Sequence, residues 1–373
     1  MVYLLVFAAV AAVALLLLWA GRKSDPGAAR QSADDAGAPR RARDAIVVAP
    51  IEAAAPASAE SDAIPEALQK LEVLRAAELD AAGASRIADI CAAMPEPHPV
   101  QLQMARGLDT PEELMDAIVS DAGLTATILR TVNSAAFVLE APITSVRHAI
   151  TYLGVVVVKN VVAQAAIAEH AEAGTETQQQ ALAHVWRSAC VASAFAQLLA
   201  RELGLERPSV LATKSLFFNL GDVALILSGE EAVDAYREGS SLAERVWRQQ
   251  EEAGLNSAIL GAALADAWSL PSEISAAIEA ELLPLTTAPA EHPMAGAARR
   301  ENVLLYLAGR IGDHVTYRGL RNVAELPLDD PQEPDTFFLG GHLEAADLGR
   351  VRALLQDAGF RRRANRLIET LAA

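Results

Sequence analysis

Positive charge is scarce in this chain. Its 373 residues include 31 Lys and Arg against 48 Asp and Glu, which gives a formal net charge of −17 at pH 7. A chain with this charge repels the phosphate backbone of nucleic acids, so we expect no nucleic-acid partner. One basic cluster near the C-terminus, Arg361, Arg362, Arg363 and Arg366, is typical of a solvated helix face.

Aromatic residues and cysteines are also few. Aromatics make up 5% of the chain, whereas hydrophobic residues make up 52%, with Ala and Leu prominent among them. Because unbranched side chains lose little rotamer freedom in a helix, this composition predicts an all-α fold. The two cysteines, Cys91 and Cys190, have no partner at metal-ligand spacing. Isolated cysteines are typical of a reducing compartment, although the sequence does not exclude one disulfide between them.

Sequence motifs for catalysis are missing. The chain has no Gly-rich phosphate loop, no nucleophile elbow and no zinc-binding His-Glu-x-x-His helix. The histidines are scattered, with no pair three or four residues apart: His98, His148, His170, His184, His292, His314 and His342. Since metal-binding histidines on one helix need that spacing, we predict no metal-binding residue. We likewise predict no catalytic residue, no cofactor-binding residue and no cofactor.

The first long apolar segment is residues 2–20, which contain no charged residue and carry Tyr3 and Trp19 near their ends. As a helix this segment spans roughly 28 Å, close to the hydrocarbon thickness of a bilayer. A cleaved signal peptide would have a basic region before the apolar run, and a buried core helix is rarely apolar on every face. We therefore predict an uncleaved transmembrane helix.

The flanks of this segment predict its orientation. Arg22 and Lys23 follow the apolar run directly, and only the α-amino group is basic on the other side. The positive-inside rule then puts the rest of the chain in the cytoplasm. Residues 21–61 are rich in Ala, Pro, Asp, Arg and Ser without a sustained apolar period, which predicts a disordered tether.

From residue 62 the apolar residues recur at helical spacing. This spacing predicts a connecting helix over residues 62–84, with Gly83 as its stop. Residues 155–158 are all valine and would suit a buried strand, but a lone strand would leave its backbone unpaired, so we predict a helix there.

Helix-start signals are frequent in the rest of the chain. Thr110-Pro111-Glu112-Glu113 is a capping box, Asp121 is a suitable N-cap, and either Asn256 or Ser257 can cap a helix that reaches Trp268. One long helix is predicted over residues 178–203 and another from Pro271 to about residue 282.

Several short segments follow one another in a definite order. They are Met94-Pro95-Glu96-Pro97, residues 121–125, residues 129–137 (with Asn133-Ser134), residues 143–146, residues 149–154, Val185-Trp186-Arg187-Ser188, and residues 261–271 with their Trp268-Ser269-Leu270-Pro271 turn. This series resembles the HDOD family, a bacterial all-helical signalling domain related to the HD metal-dependent phosphohydrolases. The resemblance covers roughly residues 85–319. It implies an HD-like multi-helix domain, here in a bacterial inner-membrane protein, with residues 320–373 as a helical tail of unassigned role.

The same resemblance locates the positions at which the parent enzymes bind metal through histidines and a His-Asp pair. Here these positions read Ser188, Phe218, Asn219, Ser257 and Glu281, and Asp222 is the acidic residue that remains nearby. Phenylalanine has no lone pair to donate, and an amide is a poor substitute for a carboxylate.

The resemblance with altered ligands implies a membrane-tethered, non-catalytic signalling module that binds a protein partner. A metal-dependent phosphohydrolase with altered ligands is the alternative, and a membrane scaffold without a signal-dependent state is a third hypothesis. For Pro95, Asp121, Asn133 and Ser134 we expect structural roles, since a cap or a helix terminator satisfies backbone groups.

Overall fold

α-Helices make up almost all of the regular structure. The computed structural model describes residues 64–372, except 109, 134–142, 156–157, 160, 164–173 and 230–232, and no strand occurs in these ranges. The helices are α1 (Glu66–Gln69), α2 (Ala81–Ala93), α3 (Pro99–Gly107), α4 (Pro111–Val119), α5 (Ala122–Val132), α6 (Val146–Leu153), α7 (Glu176–Glu202), α8 (Pro208–Phe217), α9 (Leu220–Ser228), α10 (Leu242–Ala253), α11 (Ser257–Ala267), α12 (Ser272–Glu279), α13 (Leu283–Thr286), α14 (Gly296–Tyr317), α15 (Leu339–Ala345), α16 (Arg350–Gln356) and α17 (Ala358–Ala372). Short 3-10 helices lie at Ala76–Glu78, Val233–Tyr236, Pro289–Glu291 and Val323–Glu325. The all-α prediction is confirmed.

The predicted helix starts are confirmed by their capping hydrogen bonds. Thr110 Oγ1 accepts from the backbone N–H of Glu113 at 3.2 Å, and Asp121 Oδ1 accepts from that of Leu124 at 2.7 Å. Asn256 Oδ1 likewise accepts from the N–H of Ile259 at 3.0 Å and caps α11. Each cap satisfies a backbone donor that the helix itself leaves without a partner.

The long helix predicted over residues 178–203 is α7, which begins two residues earlier. Thr175 is its N-cap and forms a capping box with Gln178. The helix predicted from Pro271 ends sooner than expected, at Glu279, and α13 follows as a separate turn. The described residues between 155 and 163 are helical, in agreement with the choice of helix over strand.

The connecting helix predicted over residues 62–84 is wrong. The chain forms only the single turn α1, then an extended strap over residues 71–75 and a 3-10 turn, before α2 begins. Asp80 caps α2 by accepting from the N–H of Gly83 at 2.7 Å, so Gly83 lies in a first turn instead of ending a helix. The apolar spacing arises because Leu68 and Leu71 are both buried against the domain.

Helices α7 and α14 form the centre of the domain and pack along each other. Their apolar side chains meet in the main hydrophobic core, in which Phe195, Leu199 and Ile311 are fully buried. Helix α8 packs on α7, while α9, α11 and α12 form a neighbouring layer. Burial of this much aliphatic surface accounts for the stability of the bundle.

Residues 320–373 are part of this domain and not a separate tail, which corrects the boundary predicted at residue 319. Leu343, Val351 and Phe360 are buried in the same core as α7 and α14. His342 is also buried, and its Nε2 donates to the carbonyl oxygen of Thr287 at 2.8 Å. The sequence pattern predicted helices here but not the surface on which they pack.

The predicted transmembrane helix at residues 2–20 and the tether at residues 21–61 lie outside the described residues. Within the described part of the chain, one stretch, Pro208–Ser228, is long and apolar enough to cross a membrane by length and composition. It corresponds to α8 and α9, and most of it is buried inside the domain. This burial is typical of helices in a protein core.

Candidate functional site

The six positions that the resemblance singled out surround one small cavity in the middle of the domain. They come from three helices and two junctions: Ser188 on α7, Asp222 on α9, Ser257 at the start of α11, Phe218 and Asn219 between α8 and α9, and Glu281 after α12. The cavity has a volume of about 50 Å³. This is room for a few water molecules or a small ion.

Two glycines allow the helices around the cavity to approach closely. A Cβ atom at Gly221 would overlap the backbone carbonyl of Ser257, and one at Gly312 would lie 2.9 Å from the hydroxyl of Ser188. Glycine at these positions lets α9 cross α11, and α14 cross α7, at backbone contact distance. The first crossing brings Ser257 against α9, and the second brings Ser188 against Asp313.

Asp313 is the most strongly paired acid of the cavity. The Ser188 hydroxyl donates to Asp313 Oδ1 at 2.6 Å, and Asp313 Oδ2 forms ion pairs with Arg245 and, at 2.8 Å, with Arg310 Nη1. Burial by itself would raise the pKa of Asp313, but the two guanidinium groups outweigh burial and lower this pKa to about 2. Asp313 is therefore a carboxylate at neutral pH.

The two arginines are held by aromatic rings as well as by charge. The guanidinium carbon of Arg245 lies 4.5 Å from the centre of the Tyr317 ring, and that of Arg310 lies 4.9 Å from the Tyr306 ring. Burial, the largest influence, lowers the pKa of both arginines, but Asp313 together with the neighbouring tyrosine and acidic side chains outweighs it, so the pKa of both is raised. Arg245 Nη1 and Arg310 Nε have no hydrogen-bond acceptor among the described residues.

A second group of hydrogen bonds surrounds Asp222. Its Oδ1 accepts from the Tyr236 hydroxyl at 2.8 Å and from Gln249 Nε2 at 3.1 Å. The Oε1 atom of Gln249 in turn accepts from the backbone N–H of Ser257 at 2.9 Å. Burial raises the pKa of Asp222, although Arg245 and these donors oppose the shift.

Glu281 has the weakest support of the acids that line the cavity. Its only side-chain donor among the described residues is the Ser257 hydroxyl, at 3.5 Å. Burial and the nearby Asp222 raise the pKa of Glu281 well above its usual range, which Arg310 offsets only in part. The cavity therefore disfavours the ionised form of Glu281 relative to an exposed glutamate.

The side chains at the cavity do not fit the metal ion that the HD enzymes imply. In the part of the chain that the structure describes, no three His, Cys, Asp or Glu side chains are placed to hold a metal ion. Phe218 has no donor atom, and the Asn219 amide donates to the carbonyl oxygen of Val185 at 3.2 Å. Arg245 and Arg310 add two positive charges at the cavity, and these would repel a cation.

The prediction from sequence missed Arg245, Arg310 and Asp313. A signal for two of them was present, because Arg310 and Asp313 stand three residues apart in the otherwise apolar centre of α14. Charged residues inside an apolar helical stripe are usually buried in pairs. Arg245 gave no such signal, since α10 contains many charged residues.

Two other residues of the sequence series have the structural roles that were expected. Asp121 caps α5 and also lies 3.1 Å from His98 Nε2. The Leu124 N–H, followed by His98, lowers the pKa of Asp121. Asn133 joins the end of α5 to the next segment, because its side chain bonds both the N–H and the C=O of Ile143, at 2.7 and 2.6 Å. Ser134 lies outside the described residues.

Two further histidines of the described part of the chain bond the protein backbone. His184 and His314 each bond a backbone carbonyl oxygen through Nδ1, at 2.9 Å. Cys91 and Cys190 are not joined by a disulfide in the structure, so the pairing that the sequence allowed is not formed.

The family of the chain follows from a direct comparison. A family model described as the HDOD domain matches residues 94–283, just over half of the chain. The chain belongs to the HDOD family. The matched residues lie inside the range 85–319 that the resemblance covered, and they include Ser188, Asp222, Ser257 and Glu281 but neither Arg310 nor Asp313. No curated protein matches this HDOD chain.

Several solved structures are similar to this chain at low sequence identity. A candidate signal transduction protein from Marinobacter aquaeolei VT8 is 18% identical, with a TM-score of 0.50, over 82% of this chain and 64% of that one. An HDOD domain protein of unknown function from Geobacter sulfurreducens is 18% identical, with a TM-score of 0.47, over 74% and 98%. A candidate phosphohydrolase from Shewanella amazonensis SB2B is 18% identical, with a TM-score of 0.46, over 77% and 98%. At these identities the likeness concerns the fold alone.

Proposed function

We propose that this HDOD protein is a non-catalytic signalling module that acts by binding a protein partner. The observation that carries the proposal is the ion-paired cluster of Arg245, Asp313 and Arg310 at the cavity where the HD enzymes hold a metal ion. Two guanidinium groups, those of Arg245 and Arg310, supply positive charge at this cavity, where an HD enzyme would have the charge of a metal ion.

Hydrolysis by the HD enzymes needs a metal-bound water whose pKa is lowered to near neutrality. Such a site needs several imidazole or carboxylate ligands that offer lone pairs to one point. Here Asp313 already shares its lone pairs with Ser188 and the two arginines, and burial raises the pKa of Asp222 and Glu281, which opposes the ionised forms that a metal ion needs. The ion-paired cluster therefore supports a structural role for the side chains that line this cavity, in place of metal binding.

The proposed arrangement in the cell follows from the sequence. Residues 2–20 would anchor the protein in the bacterial inner membrane, and residues 21–61 would let the acidic domain sample the cytoplasm below it. A reporter protein fused after Ala373 should be active only if it is one whose activity requires the cytoplasm. Activity of a periplasm-specific reporter at this position would contradict the arrangement.

Metal content and turnover test the non-catalytic proposal directly. We expect elemental analysis of the purified chain to find no stoichiometric transition metal, and we expect no cleavage of cyclic dinucleotides or nucleotide phosphates in added Mn²⁺. An active HD phosphohydrolase in the same assay serves as the positive control. One-to-one metal, together with turnover that disappears in Asp222→Asn or Glu281→Gln, would establish the alternative, a phosphohydrolase with altered ligands.

The partner is tested by affinity capture from detergent-solubilised native membranes, followed by mass spectrometry. We expect one protein to be recovered reproducibly with the full chain. Tight DNA binding by the purified chain at physiological salt would contradict the expectation that no nucleic acid is bound.

A further inference from the structure

The strap at residues 71–75 is held on the domain through its backbone. The side-chain amide of Gln250 forms two hydrogen bonds with the strap backbone. Its Oε1 accepts from the Leu74 N–H, and its Nε2 donates to the Glu72 carbonyl oxygen, each at 2.8 Å. Asn256 Nδ2 donates to the carbonyl oxygen of Leu74 at 2.9 Å. These contacts depend on an extended backbone and not on the identity of the side chains of the strap.

An apolar groove lies beside the strap and is only partly filled by it. The groove has a volume of about 510 Å³. One wall is formed by the strap residues Leu71, Val73 and Leu74, of which Leu71 is buried and the other two are half-buried. The opposite wall comes from α11, α12 and the start of α13, and includes Ala258, Ile259, Ala276, Ala280 and Leu283. Larger apolar side chains than those of Val73 and Leu74 would bury more surface here.

We propose that the Gln250–Asn256 amides and this groove form a binding site for an extended apolar peptide, which the strap of the same chain occupies and which a segment of a partner protein can take over. The proposal rests on the proposed function, in that it supplies the surface by which a protein partner binds. Its chemistry follows from the occupant seen in the structure, which is an extended segment with apolar side chains at positions 71, 73 and 74. Because the strap is tethered beside the site, it competes at a high effective concentration, so a partner segment must fill the groove better.

The position of the site suggests how its occupancy reaches the interior. Gln250 and Asn256, which hold the strap, are adjacent in sequence to Gln249 and Ser257, which belong to the hydrogen-bonded group around Asp222. One turn, from α10 to α11, therefore contacts the peptide site on one side and the buried polar cluster on the other. Replacement of the strap by another peptide would change the hydrogen bonds of Gln250 and Asn256, which are covalently joined to Gln249 and Ser257 of the buried cluster.

A fluorescent peptide with the sequence of residues 69–79 tests the site in the full chain. The receptor is the double variant Val73→Asp, Leu74→Asp, whose own strap no longer fits an apolar groove. We expect this variant to bind the peptide at least tenfold more tightly than the wild-type chain, in which the strap competes. Adding Gln250→Ala should weaken binding by about tenfold, whereas adding Glu251→Ala, an exposed neighbour, should leave it unchanged. Equal binding to variant and wild type, or no binding to either, would overturn the proposal.

Hydrogen exchange on the wild-type chain gives a second measurement that needs no strap variant. We expect the Leu74 amide to exchange slowly, and excess peptide to increase its exchange rate severalfold while α14 stays protected. Exchange at Leu74 that is unaffected by saturating peptide would contradict a replaceable strap. If the wild-type chain is instead a dimer that the peptide dissociates, measured by light scattering, the occupant is a second copy and the partner assignment is wrong. None of these results depends on the metal and turnover assays, so the two proposals fail separately.

Discussion

The hydroxyl of Ser188 donates a hydrogen bond of 2.6 Å to the carboxylate of Asp313, a residue 125 positions later in the chain. This bond joins α7 to α14 at the point where Gly312 lets the two helices touch. It also fixes one carboxylate oxygen, so that the other faces Arg245 and Arg310. Ser188 thus supports an ion-paired acid at the centre of the domain.

Removal of the Asp313 charge should be among the most damaging single changes in the domain. Asp313→Asn leaves two buried guanidinium groups without their shared anion, and breaking a buried pair in this way costs about 3–5 kcal/mol. We expect urea unfolding of the purified chain to show this loss. Arg248→Ala on α10 is the control, because its ion pairs with Glu244 and Glu252 lie near the surface and contribute about 1 kcal/mol or less. Similar losses in the two variants would contradict a buried ion-paired cluster.

Two glycines of α14 should respond to alanine with opposite signs. Gly312→Ala places a methyl group against the backbone and hydroxyl of Ser188, so we expect a loss of about 1–3 kcal/mol from overpacking. At Gly309 an added Cβ meets nothing within 4 Å, so Gly309→Ala should stabilise the helix by about 0.5–1 kcal/mol. Thermal unfolding of both variants tests the close crossing of α7 and α14. Stabilisation by both substitutions would show that the helices do not touch at Gly312.

Glu281 should make the domain less stable as pH rises. An unfolded Glu has a pKa of about 4.3, and burial beside Asp222 raises the pKa of Glu281 in the folded state. Between these two values the folded state binds the proton more tightly, so its stability falls as pH increases through this window. Glu281→Gln removes this dependence. We expect its Tm to equal that of the wild type near pH 4 and to exceed it increasingly toward pH 8.

The exposed Glu279 provides the matched control for this experiment, since Glu279→Gln removes one carboxylate from the end of α12, two residues before Glu281, without altering the cavity. The Tm difference between this variant and the wild type should change little with pH. A pH dependence as large as that of Glu281→Gln would assign the effect to net charge instead of burial.

The C-terminal residues should prove indispensable for folding. Truncation after Gly319 removes Leu343, Phe360 and other buried side chains, and it also removes Asp335, which caps α10 by accepting from the N–H groups of Leu242 and Ala243 at 2.7 and 3.0 Å. We expect the truncated chain to lose cooperative unfolding in circular dichroism. Phe360→Ala should keep cooperativity and cost about 3–5 kcal/mol. A cooperative truncated chain would restore the boundary at residue 319.

The sequence by itself determined much of the local structure. Thr110, Asp121 and Asn256 were identified as helix starts because an N-cap bonds a backbone group only a few residues away. The resemblance also singled out six positions that line one cavity in the structure, since the order of the helices fixes their place in the fold: Ser188, Phe218, Asn219, Asp222, Ser257 and Glu281.

Only the tertiary structure decided what surrounds those residues. Asp313 acts through Arg245, 68 residues away in the sequence, and Asp335 caps a helix more than 90 residues before it. The segment at residues 71–75 has apolar spacing that fits a helix, yet side-chain amides from Gln250 and Asn256 hold it extended. In each case a hydrogen bond or ion pair between distant residues outweighs the local preference, and no periodicity within one segment records such a partner.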